Sequence, residues 1–167
     1  MARVKPVDVS TLSLVDGANS KTASRTEVLG HKPGLPTALA EMEALLETSS
    51  VLDPVVRETA IVTVLRRSPY ELSHRLKPAR LAGLSPDMFE AIEEEDWTEP
   101  SFSEEQKAAM RFAMMFDAGH GIPEPAFEIF AETFTDAQIV ELAALCAHYG
   151  ACARFAIALG YRQEPKE

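Results

Sequence analysis

The sequence is poor in cysteine, basic residues and long apolar runs. Its only two cysteines, Cys146 and Cys152, stand six positions apart in one predicted helix. Their α-carbons are therefore separated by about 9 Å of helical rise. A disulfide needs α-carbons within about 7 Å, so we expect both thiols to be reduced. The sequence also has no CxxC pair, which argues against dithiol chemistry.

The shortage of positive charge limits the expected partners. Lys and Arg number 16 against 26 Asp and Glu, for a formal net charge of −10 at pH 7. Nucleic acid and anionic membranes attract basic surfaces, so neither is an expected partner. No uncharged run reaches the roughly 18 residues of a membrane span, and no basic and apolar N-terminal segment is present. We therefore expect a soluble, cytoplasmic protein.

Histidine is also scarce, with four in the chain. None stands at a spacing from Cys, Asp or Glu that is typical of a metal site. We therefore expect neither a metal nor another cofactor. The four are His31, His74, His120 and His148.

The length of 167 residues is enough for one domain with its own core. Residues 1 to 30 have weak periodicity and predict an irregular N-terminal arm. Residues 31 to 162 carry repeated helix signals without a linker, and predict a single helical domain. Prolines and capping residues mark the helix starts. These starts are Pro33 or Pro36, Asp53, Ser68, Ser85, Ser103 and Thr135, with capping boxes formed by Ser68 and Glu71, Ser103 and Gln106, and Thr135 and Gln138.

The helix that begins after Asp53 places one carboxylate among aliphatic side chains. Glu58 has the spacing of a single helical face with Val62 and Leu65. A buried carboxylate without a partner raises its pKa and becomes a proton carrier near neutral pH. Alternatively, Glu58 pairs with an arginine and holds two helices together. The sequence leaves both open.

The next predicted helix carries further titratable side chains. Glu71 has a structural alternative, because its capping box with Ser68 accounts for it without any chemistry. His74 lies one turn after Tyr70 and Glu71, and can titrate near pH 7. Its alternative is a purely structural role. Arg75 stands within reach of an ion pair with Glu71.

The stretch from residue 51 to residue 84 is also locally basic. It holds six basic and three acidic side chains, a balance of about +3 in an anionic chain. A cationic island of this kind concentrates a small acidic substrate. Alternatively, most of these arginines lie on solvated helix faces. The basic residues are Arg57, Arg66, Arg67, Arg75, Lys77 and Arg80.

The last predicted helix runs from Thr135 to about Leu159 and is apolar on nearly every side. Such a helix must be covered all round, by its own domain or by other subunits. His148 shares a face with Cys152 and can lend a polar group to a site. The alternative for His148 is a satisfied core or interface histidine.

The segment LDPVVRETAIVTVLRRSPYELSHRLKPARLAGLS resembles the carboxymuconolactone decarboxylase family, which includes the alkylhydroperoxidase D-like (AhpD-like) proteins. FSEEQKAAMRFA and FTDAQIVELAALCAHYG agree with this likeness, which spans about residues 28 to 161. The resemblance implies an all-α, AhpD-like fold of about six to seven helices that assembles into a homotrimer or homohexamer. It matches Glu58 to the family glutamate, and Tyr70 and Glu71 to the family's Tyr-Glu pair.

Two departures from the family pattern affect the expected chemistry. The cysteine pair of the peroxidase branch would fall on Ser68 and Glu71, so that redox centre is absent. The family histidine would fall on Arg75, and His74 precedes it. Either His74 serves in its place or the proton relay is altered. We therefore name Glu58, Glu71 and His74 as candidate catalytic residues, and Tyr70, Arg75 and His148 as candidate substrate contacts.

Three functions follow from these residues and the resemblance. The first is a cofactor-free, lyase-type enzyme that moves a proton on a small organic acid or lactone, with an arginine holding the substrate anion. The second is alkylhydroperoxidase or peroxiredoxin activity, which the missing CxxC disfavours. The third is a non-catalytic, oligomeric binding protein.

Overall fold

The computed structural model describes Arg3 and residues 25–161, and the regular structure of this part of the chain is α-helical. It contains eight helices, against the six to seven expected. In chain order they are α1 Arg25–Leu29, α2 Leu35–Thr48, α3 Pro54–Leu65, α4 Pro69–Ala82, α5 Pro86–Glu93, α6 Glu104–Ala118, α7 Glu124–Thr133 and α8 Asp136–Leu159.

Helix α3 is the centre of the domain and packs against α4, α6 and α8. Nine of its 12 residues are buried, as the aliphatic run predicted. Asp53 caps it by accepting a hydrogen bond from the Val55 N–H at 2.9 Å, which confirms the predicted start. Thr59 and Thr63 are buried too, and their hydroxyls donate to backbone carbonyls one turn earlier. These bonds let two polar side chains sit in the core.

Helix α8 is the longest helix and forms a second wall of the core. Leu142 and Leu145 are buried against the other helices, whereas Val140 is 68% and Ile157 56% exposed. By length and composition alone α8 is able to cross a membrane, but the core helix of a soluble protein passes the same test. One chain thus covers one side of α8. Its cover by other subunits stays a prediction.

The helix caps divide into confirmed and wrong predictions. In two predicted capping boxes, Ser103 with Gln106 and Thr135 with Gln138, both side chains make the expected hydrogen bonds. Gly83 ends α4 with a φ of +117°, a conformation that glycine adopts without strain. The box at Ser68 is wrong, because the Ser68 side chain makes no capping hydrogen bond. Glu71 instead turns inward and contacts Arg25.

Most of the predicted N-terminal arm lies outside the described residues. Its last part is helical rather than irregular, since residues 25–29 form α1. Val28 and Leu29 of this helix are buried. Val28 packs in a small cluster with Tyr70 and Tyr161, which explains how so short a helix is held.

Candidate functional site

Glu58 is buried and paired with an arginine. The Arg75 guanidinium donates to it twice, from Nε to Oε2 at 2.8 Å and from Nη2 to Oε1 at 2.6 Å. The third nitrogen of Arg75, Nη1, donates to Glu47 at 2.5 Å. Of the two alternatives for Glu58, the structure therefore shows the interhelical ion pair. Arg75 ties α4 to α3 and α2.

The electrostatics of Arg75 follow from this pairing. Burial by itself lowers the pKa of the guanidinium, but the hydrogen bonds to Glu58 and Glu47 and the nearby Tyr149 raise it above the ordinary value. Arg75 is thus a fixed cation. All three of its nitrogens donate to carboxylates, so a substrate anion would have to displace one of them.

The other arginines of the predicted cationic island are also engaged. Arg66 and Arg67 both donate to Glu95 Oε1, at 2.9 and 2.7 Å. Arg57 lies 3.5 Å from the same Glu58 carboxylate that binds Arg75. These pairs neutralise much of the local positive charge. Four of the six basic residues of the island are thus held in ion pairs, so it offers less attraction to an acidic substrate than its composition indicated.

A second buried group of polar side chains lies beneath α1, and we name it the Arg25 cluster. Arg25 Nη2 donates to Glu43 Oε2 at 3.0 Å, while Nη1 lies 3.5 Å from Glu71 Oε2 and 3.3 Å from Cys152 Sγ. The cluster therefore joins α1, α2, α4 and α8. Its members are Arg25, Glu43, Glu71, His148 and Cys152.

Glu71 is the carboxyl group of this cluster whose burial and raised pKa best suit proton transfer. The residue is 6% exposed, and its Oε1 has no hydrogen-bond partner among the described residues. Burial raises the pKa of Glu71, the Arg25 charge opposes that rise, and the neighbouring Glu43 adds to it. The net change is upward. A buried carboxyl group with a raised pKa, and with an oxygen that accepts no hydrogen bond from the described residues, is suited to accept and return a proton.

His148 and Cys152 lie one helical turn apart on α8 and face Arg25. His148 Nε2 is 4.0 Å from Cys152 Sγ. Burial lowers the pKa of His148, which favours the neutral imidazole. Burial raises the pKa of Cys152 to about 11, although Arg25 opposes this. At neutral pH the pair is thus an imidazole and a thiol, and the thiolate nucleophile is a minor species.

Three tyrosines surround the cluster and connect it to the Glu58–Arg75 pair. The Tyr70 hydroxyl accepts from the Arg25 backbone N–H at 3.2 Å, and its ring packs edge-on against Tyr161 with centroids 5.2 Å apart. Tyr149 donates from its hydroxyl to Glu43 at 3.5 Å. The Arg75 Cζ atom lies 5.3 Å from the Tyr149 ring centroid. Tyr149 therefore contacts both buried groups.

The six predicted site residues are not all brought together. Glu71, Tyr70 and His148 lie in or against the Arg25 cluster, with the Glu58–Arg75 pair beside it. His74 is exposed on α4, where its ring packs edge-on against Tyr70 at 4.9 Å. The buried stripe of α4 repeats every four residues, and His74 falls beside that stripe. The expected convergence of His74 with Glu58 and Glu71 in one buried site is therefore not observed.

Sequence reasoning missed Arg25, Glu43 and Glu47 as members of the buried groups. Arg25 lay in the predicted arm, and nothing in its local pattern indicates a contact with α4 or α8. Glu43 and Glu47 had one usable signal: they stand four positions apart and so share a face of α2. That face meets Arg25 and Arg75.

A surface cleft of about 360 Å³ lies elsewhere on the molecule. It is formed where the N-terminal ends of α3, α6 and α8 approach one another. It contains none of the predicted site residues. Its lining consists of Leu52, Asp53, Val55, Val56, Ser103, Glu105, Thr133, Phe134 and Gln138.

Comparison with solved structures establishes the fold. A protein of unknown function from Agrobacterium tumefaciens, linked by its description to the antioxidant defence protein AhpD, superposes with a TM-score of 0.71 at 20% identity, over 88% of this chain and 100% of that one. An uncharacterised peroxidase-related protein from Ralstonia eutropha JMP134, described as an alkylhydroperoxidase AhpD core, gives 0.68 at 23% identity, over 83% and 75%. The chain therefore has the all-α, AhpD-like fold that the resemblance implied.

A third similar structure comes from an enzyme with a different activity. The debrominase Bmp8, as a cysteine-to-alanine variant in complex with 2,3,4-tribromopyrrole, gives a TM-score of 0.69 at 17% identity, over 83% of this chain and 75% of that one. No protein-family model matches this sequence, and no curated protein matches it. The fold thus hosts more than one chemistry, and the activity of this chain has to be argued from its own site.

Proposed function

We propose that this chain is a cofactor-free, lyase-type enzyme that moves a proton on a small organic acid or lactone. The observation that carries the proposal is Glu71, a buried carboxyl group with a raised pKa, one oxygen of which has no partner in the part of the chain that the structure describes. In a decarboxylation, the bond to the departing carbon dioxide breaks and its electron pair stays on the neighbouring carbon. That carbon then takes a proton, which Glu71 is placed to deliver.

Arg25 is the group best placed to hold the substrate anion in this proposal. When Glu71 is protonated, Glu43 is the anion among the described residues that still pairs with Arg25. An incoming carboxylate then meets a cation with one fewer anion beside it. Tyr70 and His148 lie close enough to contact the same substrate. Arg75, the anion holder suggested by the sequence, instead fixes Glu58 and thereby the position of α4 against α3.

The test measures proton transfer to carbon directly. Small organic acids and lactones are incubated with the protein in D₂O, and deuterium incorporation and carbon dioxide release are followed by NMR. Glu71→Gln keeps the shape of the side chain and removes the titrating proton. We expect it to lower the rate by about 10²- to 10⁴-fold. Glu95→Gln, a carboxylate at an ion pair outside the Arg25 cluster, is the matched control and should leave the rate unchanged. Full activity in Glu71→Gln would refute the proposal.

The proposed catalytic roles of Glu58 and His74 are tested separately. Glu58 can act only through its arginine partner, so Glu58→Gln should lower activity together with stability. His74 lies at the edge of Tyr70, from which it can exchange protons with solvent. His74→Ala is compared with His120→Ala, which removes another exposed histidine. A loss confined to His74→Ala supports its role, and equal activity of the two variants rejects it.

Peroxide reduction at Cys152 is the second candidate. It is favoured by the contacts of Sγ with Arg25 and His148, and by the peroxidase-related description of one similar structure. The Cys152 thiol would attack the O–O bond of the hydroperoxide to give a sulfenic acid and an alcohol. An external thiol would then have to reduce the sulfenic acid back to the thiol. The raised thiol pKa weighs against this route. Peroxide consumption that is lost in Cys152→Ser but kept in Cys146→Ser would support it.

We also propose that the chain forms a homotrimer or homohexamer through α8. The exposure of the apolar side chains Val140 and Ile157 on the side of α8 that its own chain leaves uncovered supports this. Light scattering coupled to gel filtration measures the mass. A Val140→Asp variant should shift it toward the monomer. A monomeric wild type would reject the assembly, and with it the third candidate, a non-catalytic oligomeric binding protein.

A further inference from the structure

Access to the Arg25 cluster requires a moving part. Glu71, His148 and Cys152 are all buried, so a small molecule reaches them only after a covering element is displaced. Helix α1 is such an element, because its Arg25 side chain contacts Glu71 and Cys152 directly. Arg25 itself is partly exposed and stands between these groups and solvent.

Helix α1 is short and depends on its packing against the rest of the domain. Its five residues are far fewer than the roughly 12 that an isolated helix needs, so its structure depends on packing. Val28 and Leu29 are its buried apolar side chains. Its polar contacts include those of the Arg25 side chain and the hydrogen bond from the Arg25 N–H to the Tyr70 hydroxyl. A five-residue segment that buries two apolar side chains opens at lower free energy than a core helix such as α3, which buries nine residues.

The connection between α1 and α2 is able to act as a hinge. Residues 30–34 have the sequence Gly-His-Lys-Pro-Gly. Gly34 has a φ of +82°, and a Cβ added there would meet no atom within 4 Å. Hinges are short loop segments that absorb changes in φ and ψ, and glycine tolerates the widest range.

We propose that α1 is a gate over the Arg25 cluster. It opens about residues 30–34, which withdraws Arg25 and admits small molecules to Glu71, and its closing returns Arg25 to the site, where it holds the substrate anion. The gate controls access to Glu71, so this inference rests on the proposed function at that residue. Its test needs no turnover, so a failure of the gate and a failure of the enzyme activity are distinguished.

The two cysteines report on opening in the wild-type protein. Cys152 lies under α1, whereas Cys146, on the same helix, is buried in the main core. Alkylation by iodoacetamide is followed at each cysteine by peptide mass spectrometry, at urea concentrations below the unfolding transition. Local opening exposes little surface and depends weakly on urea, whereas global unfolding depends on it steeply. We expect a weak urea dependence at Cys152 and a steep one at Cys146. Equal dependences at the two sites would overturn the gate.

Two matched variants then assign the opening to α1. Val28→Ala weakens the docking of α1, and Val51→Ala makes the same change at an exposed position before α3. We expect labelling of Cys152 to be faster by roughly tenfold in Val28→Ala and unchanged in Val51→Ala, because the local opening free energy falls only in the first. Cys146 should keep its rate in both. A Val28→Ala protein that labels at the wild-type rate, or one in which both cysteines accelerate together, would refute the proposal.

Discussion

Arg75 binds Glu58 through two nitrogens, and this buried pair fastens α4 to α3. The resemblance to the carboxymuconolactone decarboxylase family would place a histidine at Arg75, so this chain has a permanent cation where the family pattern has a titratable group. The proposed function therefore needs a proton donor other than the residue at position 75. Glu71, one helical turn before Arg75, is the buried group with the required properties.

The Arg75–Glu58 pair should be costly to break from one side. Arg75→Met removes both short hydrogen bonds of the buried Glu58 carboxylate and leaves it the 3.5 Å contact with Arg57, and we expect a loss of about 3–5 kcal/mol in the free energy of unfolding. Arg67→Met, which removes an exposed ion pair, should cost less than about 1 kcal/mol. Urea denaturation measures both. A similar loss in the two variants would mean that the buried pair contributes no more than a surface pair.

The serines at the starts of α6 and α4 should differ in their contribution to stability. The Ser103 hydroxyl accepts from the Gln106 N–H at 3.2 Å, whereas the Ser68 side chain makes no capping hydrogen bond. Ser103→Ala should therefore lower the free energy of unfolding by about 1 kcal/mol. Ser68→Ala should lose nothing through capping. Thermal and urea unfolding of the two variants provide the comparison, and equal losses would contradict it.

The raised pKa of Glu71 makes stability depend on pH. The folded state holds the Glu71 proton more tightly than the unfolded state, whose carboxyl titrates near 4.5. Between that value and the raised folded pKa, the folded state binds more protons, so stability falls as pH rises through this window. Glu71→Gln removes the effect, and its stability relative to wild type should rise with pH there. Parallel curves for the two proteins would show that Glu71 titrates alike in both states.

The lowered pKa of His148 makes stability depend on pH in the opposite direction. Its folded pKa is lowered from 6.5 by burial, so below 6.5 the unfolded state binds more protons. Stability should therefore fall as pH drops from 6.5 through the lowered folded pKa. An NMR titration of the His148 ring protons, assigned with His148→Gln, should give a midpoint below 6.5. A midpoint above 6.5 would indicate a charged partner that the burial argument omits.

Local signals in the sequence were enough to predict most helix starts. Asp53, Ser103 and Thr135 cap their helices through hydrogen bonds within three residues, so their pattern is visible without tertiary structure. Helices α1 and α7 were missed for the opposite reason. The structure of α1 depends on contacts of Val28 with distant parts of the chain, and α7 buries only Phe130.

The sequence predicted which residues belong to the site better than it predicted which of their side chains contact one another. Helical periodicity predicted that Glu58 is buried, but its partner depends on how α3 and α4 cross. Glu71 was named as a candidate catalytic residue, but a purely structural role stayed open because its capping pattern with Ser68 is complete in the sequence. Arg25, which turns Glu71 inward, is 46 residues away, and no local rule connects the two.

The most direct test of the account is the titration of the Glu71 carboxyl carbon by ¹³C NMR, with the signal assigned by its disappearance in Glu71→Gln. The account predicts a midpoint clearly above 4.5, the ordinary value for a glutamate side chain. A midpoint at or below 4.5 would show that Glu71 is a stable anion paired with Arg25, and would contradict its role as the proton carrier.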